Sequence, residues 1–235
     1  MCAVLSAGGP VTALRHHDRV VEAGEDLVRP GDPVDESFTC LSGWLFTYYL
    51  LEDGRRQILG FTLPGEVISL IGETGPAPFG LQAMTQVRVC AASNAALGRW
   101  LRGRCEESQR LMLNVSQHAT LAYGLVTSLG RRTARERVAY LLLELHMRLG
   151  TASDGNVRSM PLTQSIIADA LGLTAVHVNR TLAQLREVGV VSYVNRRLHI
   201  VDGQRLWQEA GAERDPLLTR LRNDTAASAA KQKLI

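Results

Sequence analysis

The stretch from Thr163 to Glu187, TQSIIADALGLTAVHVNRTLAQLRE, limits what this chain can fold into more than any other. Leu162-Thr163 ahead of an apolar-periodic run reads as a capped helix start, because the threonine hydroxyl can accept from backbone amides without intrahelical partners. Ile166, Ile167, Ala168 and Leu171 form the inner side of a short helix, and Gly172 ends it by turning the chain at positive φ. Thr174 caps a second helix, in which Val178, Leu182 and Leu185 recur at i, i+4 and i+7 and so share one buried face. Ala168 is small where the helices cross, and Val178 plugs the crossing. Two short helices about a glycine turn describe a helix-turn-helix, a DNA-reading device. An ordinary αα-hairpin inside an enzyme satisfies the same pattern, so the segment that follows has to decide.

After Gly189 comes the apolar run Val190-Val191-Ser192-Tyr193-Val194, then Asn195-Arg196-Arg197, then Leu198-His199-Ile200-Val201-Asp202. This is a two-stranded hairpin with a cationic tip, the wing of a winged helix. Charge agrees. Residues 1–130 carry 10 Lys/Arg against 13 Asp/Glu, whereas residues 131–201 carry 10 against 5 and the remainder 6 against 5. A cationic segment coincident with such a motif is what attraction to phosphate requires.

The rest of the chain supplies the frame. Residues 1–18 are expected to be a flexible arm. Residues 19–103 read as short strands between turns at Gly24-Glu25, Pro30-Gly31-Asp32, Ser42-Gly43, Asp53-Gly54 and Pro64-Gly65-Glu66, with Trp44, Phe46, Tyr48 and Leu50 alternating against Leu45, Thr47, Tyr49 and Leu51. Leu59, Phe61 and Leu63 alternate likewise, and Val87, Val89 and Ala91 supply a late strand. Regular turns with period-2 patterning predict a small antiparallel barrel. Residues 104–131 turn helical: Leu111, Val115, His118, Ala122, Leu125 and Leu129 follow alternating steps of four and three, the seam of a coiled coil between two copies of the chain. Gly130-Arg131-Arg132-Thr133 is expected to break that helix. Residues 132–205 hold a further helix, with Thr133 as cap and Val138, Leu141, Leu142 and Leu145 inward, a loop at residues 151–156, and the winged helix-turn-helix. Residues 206–235, after a short helix from Gln204 to Ala210, are expected to be a tail too poor in apolar residues to order itself.

No run reaches the ~18–20 apolar residues that span a bilayer, and the N-terminus lacks a signal-peptide layout, so the expected place is the cytoplasm, with no membrane partner. Cys2, Cys40, Cys90 and Cys105 are scattered, with no C-x-x-C, which suggests neither a metal site nor a disulfide framework. A phosphate loop, a G-x-S-x-G elbow and metal-spaced His/Glu sets are missing too, so an enzyme is not expected.

A glycine-punctuated barrel, a long dimer helix and a winged helix-turn-helix together resemble the CRP/FNR family of bacterial transcription regulators, over roughly residues 19–205. The local likeness is carried by Gln57-Ile58-Leu59-Gly60-Phe61-Thr62-Leu63-Pro64-Gly65-Glu66 and by Ile167-Ala168-Asp169-Ala170-Leu171-Gly172-Leu173-Thr174 with Asn179-Arg180-Thr181-Leu182. The resemblance implies an α+β fold with an N-terminal cyclic-nucleotide-binding-like double-stranded β-helix, and a homodimer that binds palindromic promoter sites on double-stranded DNA and contacts RNA polymerase. Two family features are lacking. Members that bind cyclic AMP hold its phosphate with an arginine followed by Ser or Thr, and residues 72–80 here contain no arginine, which would leave a buried phosphate unpaired. Oxygen-sensing members ligate an iron–sulfur cluster through three arm cysteines and one in the barrel; Cys90 falls at the barrel position, but Cys2 stands alone in the arm. No cofactor is therefore expected, and Cys90 reads as core against the alternative of a redox switch.

The DNA-reading expectations follow from the helical wheel and the resemblance. Val176, Arg180, Ala183 and Glu187 lie opposite the buried face, flanked by His177, Asn179 and Gln184. Arg180 matches the family's base-reading arginine and fits guanine O6/N7, the alternative being a phosphate contact only. Asn179 takes adenine N6/N7 or a phosphate. Many members carry glutamate at the position of Val176; valine packs instead on a thymine methyl, so the half-site should differ. His177 faces the DNA backbone in preference to a base, Thr163, Gln164, Arg196 and Arg197 are phosphate candidates, and Thr174 and Gln184 complete the expected DNA-binding set. Two other functions stay open: a sensor of the same fold gated by a ligand or by haem, with His118 as register-setter or ligand, and a cyclic-nucleotide module that controls some other protein.

Overall fold

The computed structural model describes residues 17–33, 35–68, 75–149, 160–194 and 197–223. Most of the expected arm, the loop at 151–156, the wing tip at 195–196 and the end of the tail from 224 onward lie outside the described residues. The described residues divide into two compact units, the first ending at Leu121 and the second beginning at Ala122.

In the first unit the glycine-punctuated text becomes strands β1 (His17–Val21), β2 (Asp26–Val28), β3 (Glu36–Ser42), β4 (Leu45–Leu50), β5 (Arg56–Thr62), β6 (Val67–Ile68), β7 (Gly80–Ala83) and β8 (Val87–Ser93). They pair antiparallel in two sheets, ordered β1-β8-β3-β6 and β2-β7-β4-β5. Phe38, Cys40, Leu45, Leu81, Val87 and Val89 are buried between them as the main core. Gly43 illustrates why glycine sits at the turns: its φ is +83°, and an added Cβ would collide with the Gln86 carbonyl oxygen.

Alternation in β5 departs from the expectation. Thr47 pairs with Gly60 but Tyr48 pairs with Ile58, so Leu59 is the extra residue of a β-bulge. The bulge reverses the pleat, and Ile58 and Phe61 are buried while Leu59 faces out. In β4 the side opposite Phe46 and Tyr48 is also partly covered, since Leu45 is fully buried.

Helix α1 (Asn94–Leu101) was not expected from the sequence. Ser93 caps it, its hydroxyl accepting from Ala96 N at 3.2 Å. Leu97 joins Val67, Ala92 and Leu111 in a second small core.

Helix α2 (Cys105–Arg131) has 27 residues, about 40 Å at 1.5 Å per residue, and contains the division between the units. Gly130 lies inside it, so the break comes at Arg132-Thr133. The second unit continues with α3 (Ala134–Leu149), α4 (Gln164–Leu171), α5 (Ala175–Glu187), β9 (Val191–Val194), β10 (Arg197–Ile200), α6 (Gly203–Glu209) and α7 over residues 216–223.

Thr133 and Glu136 form a reciprocal cap at the start of α3: Glu136 Oε2 accepts from Thr133 N at 2.7 Å, and Thr133 Oγ1 accepts from Glu136 N at 3.4 Å. Val138, Leu141, Leu142 and Leu145 are buried as expected, and so are Ala139, Tyr140 and Leu143, which makes α3 the central helix of this unit.

The expectation of an unordered tail is overturned up to residue 223. Ala212 and Leu218 are fully buried, Asp215 Oδ1 accepts from Leu218 N at 3.1 Å, and Asp215 holds Arg132 at 3.1 Å. Low average apolarity hid a leucine pair at i, i+3, Leu218 and Leu221, with an aspartate cap in front of it.

Candidate nucleic-acid interface

Both helices of the central motif start on a threonine. Thr163 Oγ1 accepts from Ile166 N and Thr174 Oγ1 accepts from His177 N, each at 3.2 Å. Gly172, at φ 61° and ψ 37°, closes α4 in the left-handed conformation with its N–H on Ala168 O. The inner side of α4 is Ile167, Ala168, Ala170 and Leu171; Ile166 is only half-buried, and Ala170 takes the place assigned to it. Leu129 reaches this turn from α2, since a Cβ built on Gly172 would lie 3.8 Å from Leu129 Cδ2.

Helix α5 has two chemically opposite sides. Val178, Leu182 and Leu185 are buried at 0–1% exposure, while Val176 is 76% exposed and Asn179, Arg180 and Gln184 are exposed beside it. His177 is half-buried. Thr181 turns inward and donates its hydroxyl hydrogen to His177 O at 3.0 Å, which removes it from the outer side. Gln164, the first residue of α4, donates from Nε2 to Asn179 Oδ1 at 3.2 Å, so two expected DNA contacts from different helices meet.

The wing forms as expected, with Val194 paired to Arg197 and Val191 to Ile200. Arg197 is exposed at the start of β10; Arg196 lies outside the described residues. Met160 adds an isolated antiparallel bridge to Leu198, a third edge with no local pattern to announce it.

The charge excess of the segment is partly spent within the fold. Arg132 binds Asp215 and lies 3.7 Å from the centroid of the Tyr140 ring. Arg135 makes two bonds to Glu209, at 2.6 and 2.9 Å, which hold that carboxyl below its ordinary pKa. Arg148 and Glu144 pair at 2.6 Å in the interior, and Arg137 donates to the carbonyls of Arg132 and Leu171. Among the described residues, Arg180, Arg186 and Arg197 are exposed cations on and beside the motif.

Comparison with known proteins gives this geometry its context. The family model of the Crp-like helix-turn-helix domain matches residues 136–209, and that of the cyclic nucleotide-binding domain matches residues 18–103. The nitrogen fixation regulation protein FixK of Bradyrhizobium diazoefficiens is 33% identical over 193 residues, covering 81% of this chain and 80% of that protein. The chain belongs to the CRP/FNR family. The transcriptional activator protein FnrL of Cereibacter sphaeroides is 30% identical, covering 84% of this chain and 82% of that protein. The solved structure of FixK2 from Bradyrhizobium japonicum superposes with a TM-score of 0.73 at 29% identity, over 82% of this chain and 96% of that one.

As a CRP/FNR regulator, this chain is a DNA-binding transcription regulator built as a cyclic-nucleotide-domain-like barrel, a long helix and a winged helix-turn-helix. No described helix is long and apolar enough to cross a membrane.

The family's small-molecule chemistry can be tested on the barrel. A cavity of about 160 Å³ is lined by Thr47, Thr62, Val67, Ile68, Phe79, Asn114, Val115 and His118. None of these is a cation, so the set does not fit a cyclic phosphate. An iron–sulfur cluster does not fit either: Cys40 and Cys90 are buried in strands, and no described group of three or more His, Cys, Asp or Glu could hold a metal. Burial and nearby Glu66 push the Cys40 thiol up to about 12, which keeps it protonated.

The α2 seam also has a clear placement. Leu111 is buried in its own unit, against Val67, Ala92 and Leu97. His118, Ala122, Leu125 and Leu129 are half-buried, and Val115 is 49% exposed. Met112, Tyr123 and Val126 stand out at 73%, 70% and 66% exposure. Met112, Val115, Ala119, Ala122 and Val126 follow a three-and-four spacing that shares Val115 and Ala122 with the expected seam and takes the next residue in place of Leu111, His118 and Leu125.

Proposed function

We propose that the protein binds palindromic promoter DNA as a homodimer, with α5 in the major groove, and that it activates transcription through contact with RNA polymerase. The observation that carries this reading is the two-sided α5: a buried Val178/Leu182/Leu185 edge holds Val176, Asn179 and Arg180 outward together. Arg180 takes guanine, Val176 a thymine methyl, and Thr163, Gln164, Thr174, His177, Gln184, Arg196 and Arg197 border the duplex. Dimer formation through α2 is supported by exposed Met112, Val115 and Val126 in line with half-buried Ala119 and Ala122, with His118, Leu125 and Leu129 beside them; Leu111 serves its own core. Activation rests on the relatives, FnrL being named a transcriptional activator. The proposed division is 1–18 arm, 19–103 barrel, 104–131 dimer helix and 132–205 reading domain, and the proposed place is the cytoplasm. Selection of bound sequences from random DNA with the full chain tests the reading: a palindrome whose half-site centres lie about one helical turn apart supports it. Absence of any selected sequence contradicts it.

A second reading, regulation by a small ligand in the barrel, is favoured by one observation. Asn114 is 7% exposed and lines the cavity, and its Oδ1 is buried without a hydrogen-bond partner. A neutral ligand with one donor would satisfy it. Thermal-shift screening should then find stabilisation by uncharged compounds and none by cyclic nucleotides, while an absorbance scan for a Soret band decides haem.

A further inference from the structure

We infer, building on the DNA-reading assignment above, that Gln164 selects the class of base read by Asn179, by holding the asparagine amide with its donor end toward the groove. A carboxamide has one acceptor end and one donor end, fixed in a plane. Gln164 Nε2 sits 3.2 Å from Asn179 Oδ1 and occupies the acceptor end. The two residues come from different helices, and each helix is pinned at its start by a threonine cap, Thr163 next to Gln164 and Thr174 one turn before Asn179. The amide-to-amide bond therefore joins two rigid supports.

The consequence is chemical. Bidentate readout of adenine needs the asparagine oxygen facing N6 and its nitrogen facing N7 at once. With Oδ1 turned to Gln164, the NH2 group alone faces the DNA. It finds an acceptor at guanine O6, at thymine O4 or at a purine N7, and meets donor against donor at the amino group of cytosine, the one base edge that offers it no acceptor. Val176, on the preceding turn of the same exposed side, brings no acceptor that could restore an amino-base preference. Gln164 is thus a positioning residue for specificity, distinct from a phosphate contact, which would carry no sequence information.

The experiment is binding-site selection with the full chain in four forms: the natural protein, Gln164→Ala, Gln164→Glu and Arg180→Ala. On the strand that Asn179 faces, the natural protein should reject cytosine. Glutamate at 164 can only accept, so it turns the asparagine NH2 toward itself and Oδ1 toward the DNA. Gln164→Glu should therefore raise cytosine on that strand by about tenfold in relative affinity, the scale of a base-edge contact. Gln164→Ala should release the amide and admit cytosine; it carries the test alone if the added charge of glutamate weakens binding too far. Gln164 is half-buried and Asn179 exposed, so thermal unfolding should be unchanged in both variants. The inference is overturned if both variants still reject cytosine at that pair, or if the only change is a uniform loss at every sequence. In that event a shifted preference in Arg180→Ala at its own pair would leave the DNA-reading assignment standing; no selected sequence for the natural protein would remove that assignment itself.

Discussion

Arg180 stands on the exposed side of α5, whereas Arg132, Arg135 and Arg148 are committed to carboxylates. Arg180→Ala should cost about 1–3 kcal/mol of binding and relax preference at one base pair, read by competition between matched and mismatched duplexes. Equal loss on every duplex would demote Arg180 to a phosphate contact. Thiol chemistry separates the cysteines in the same residue-by-residue way. Cys40 and Cys90 are buried and Cys105 is exposed, so a thiol reagent should label Cys105 in the native protein and reach Cys40 and Cys90 after denaturation. Rapid native labelling of Cys90 would restore the redox reading that its burial argues against.

The helix-turn-helix was legible because its signals are local: a cap, a glycine and a 3.6-residue period each act over a few residues, and Thr163, Gly172 and Thr174 do what their chemistry dictates. The elements that escaped depend on partners distant in sequence. The bulge at Leu59 is set by how β5 meets β4, and the phase of the α2 stripe is set by Leu111 entering a core made by Val67, Ala92 and Leu97. Spacing alone could not choose between Leu111 and Met112, because both start a three-and-four pattern. A substitution decides between the two phases. Val126→Glu, at 66% exposure, should leave the folded chain intact yet convert the dimer to monomer in sedimentation, with operator affinity falling alongside. A dimer that survives this change, and Met112→Glu as well, would place the contact elsewhere.

For the molecule as a whole, proton and salt dependence follow from where its charges sit. Burial lowers the pKa of His146 from 6.5, and its Nδ1 is buried without a hydrogen-bond partner. A histidine with a depressed folded-state pKa binds protons more readily when unfolded, so stability rises with pH through that range and is lost as pH falls below 6.5. Denaturant unfolding at about pH 5.5 should show a lower midpoint than at about pH 7.5, and His146→Phe should flatten the difference. An unchanged slope in that variant would assign the effect to other groups. Salt dependence of DNA binding is expected to come from exposed cations such as Arg180, Arg186 and Arg197, since arginines held in internal ion pairs release no counterions from DNA. Arg197→Ala should lower the slope of log affinity against log salt by about one and weaken all sequences alike. This is why net charge overstated the case: the residue count was right, but four of the arginines in 131–201 are structural.

Leu129 lies at the foot of a helix about 40 Å long and touches the bend between the two halves of the DNA-reading motif. An α-helix transmits twist stiffly, so axial rotation of that rod carries Leu129 around with it. A rotation of the rod would therefore press on the glycine bend, and the pitch of α5 would be expected to follow it.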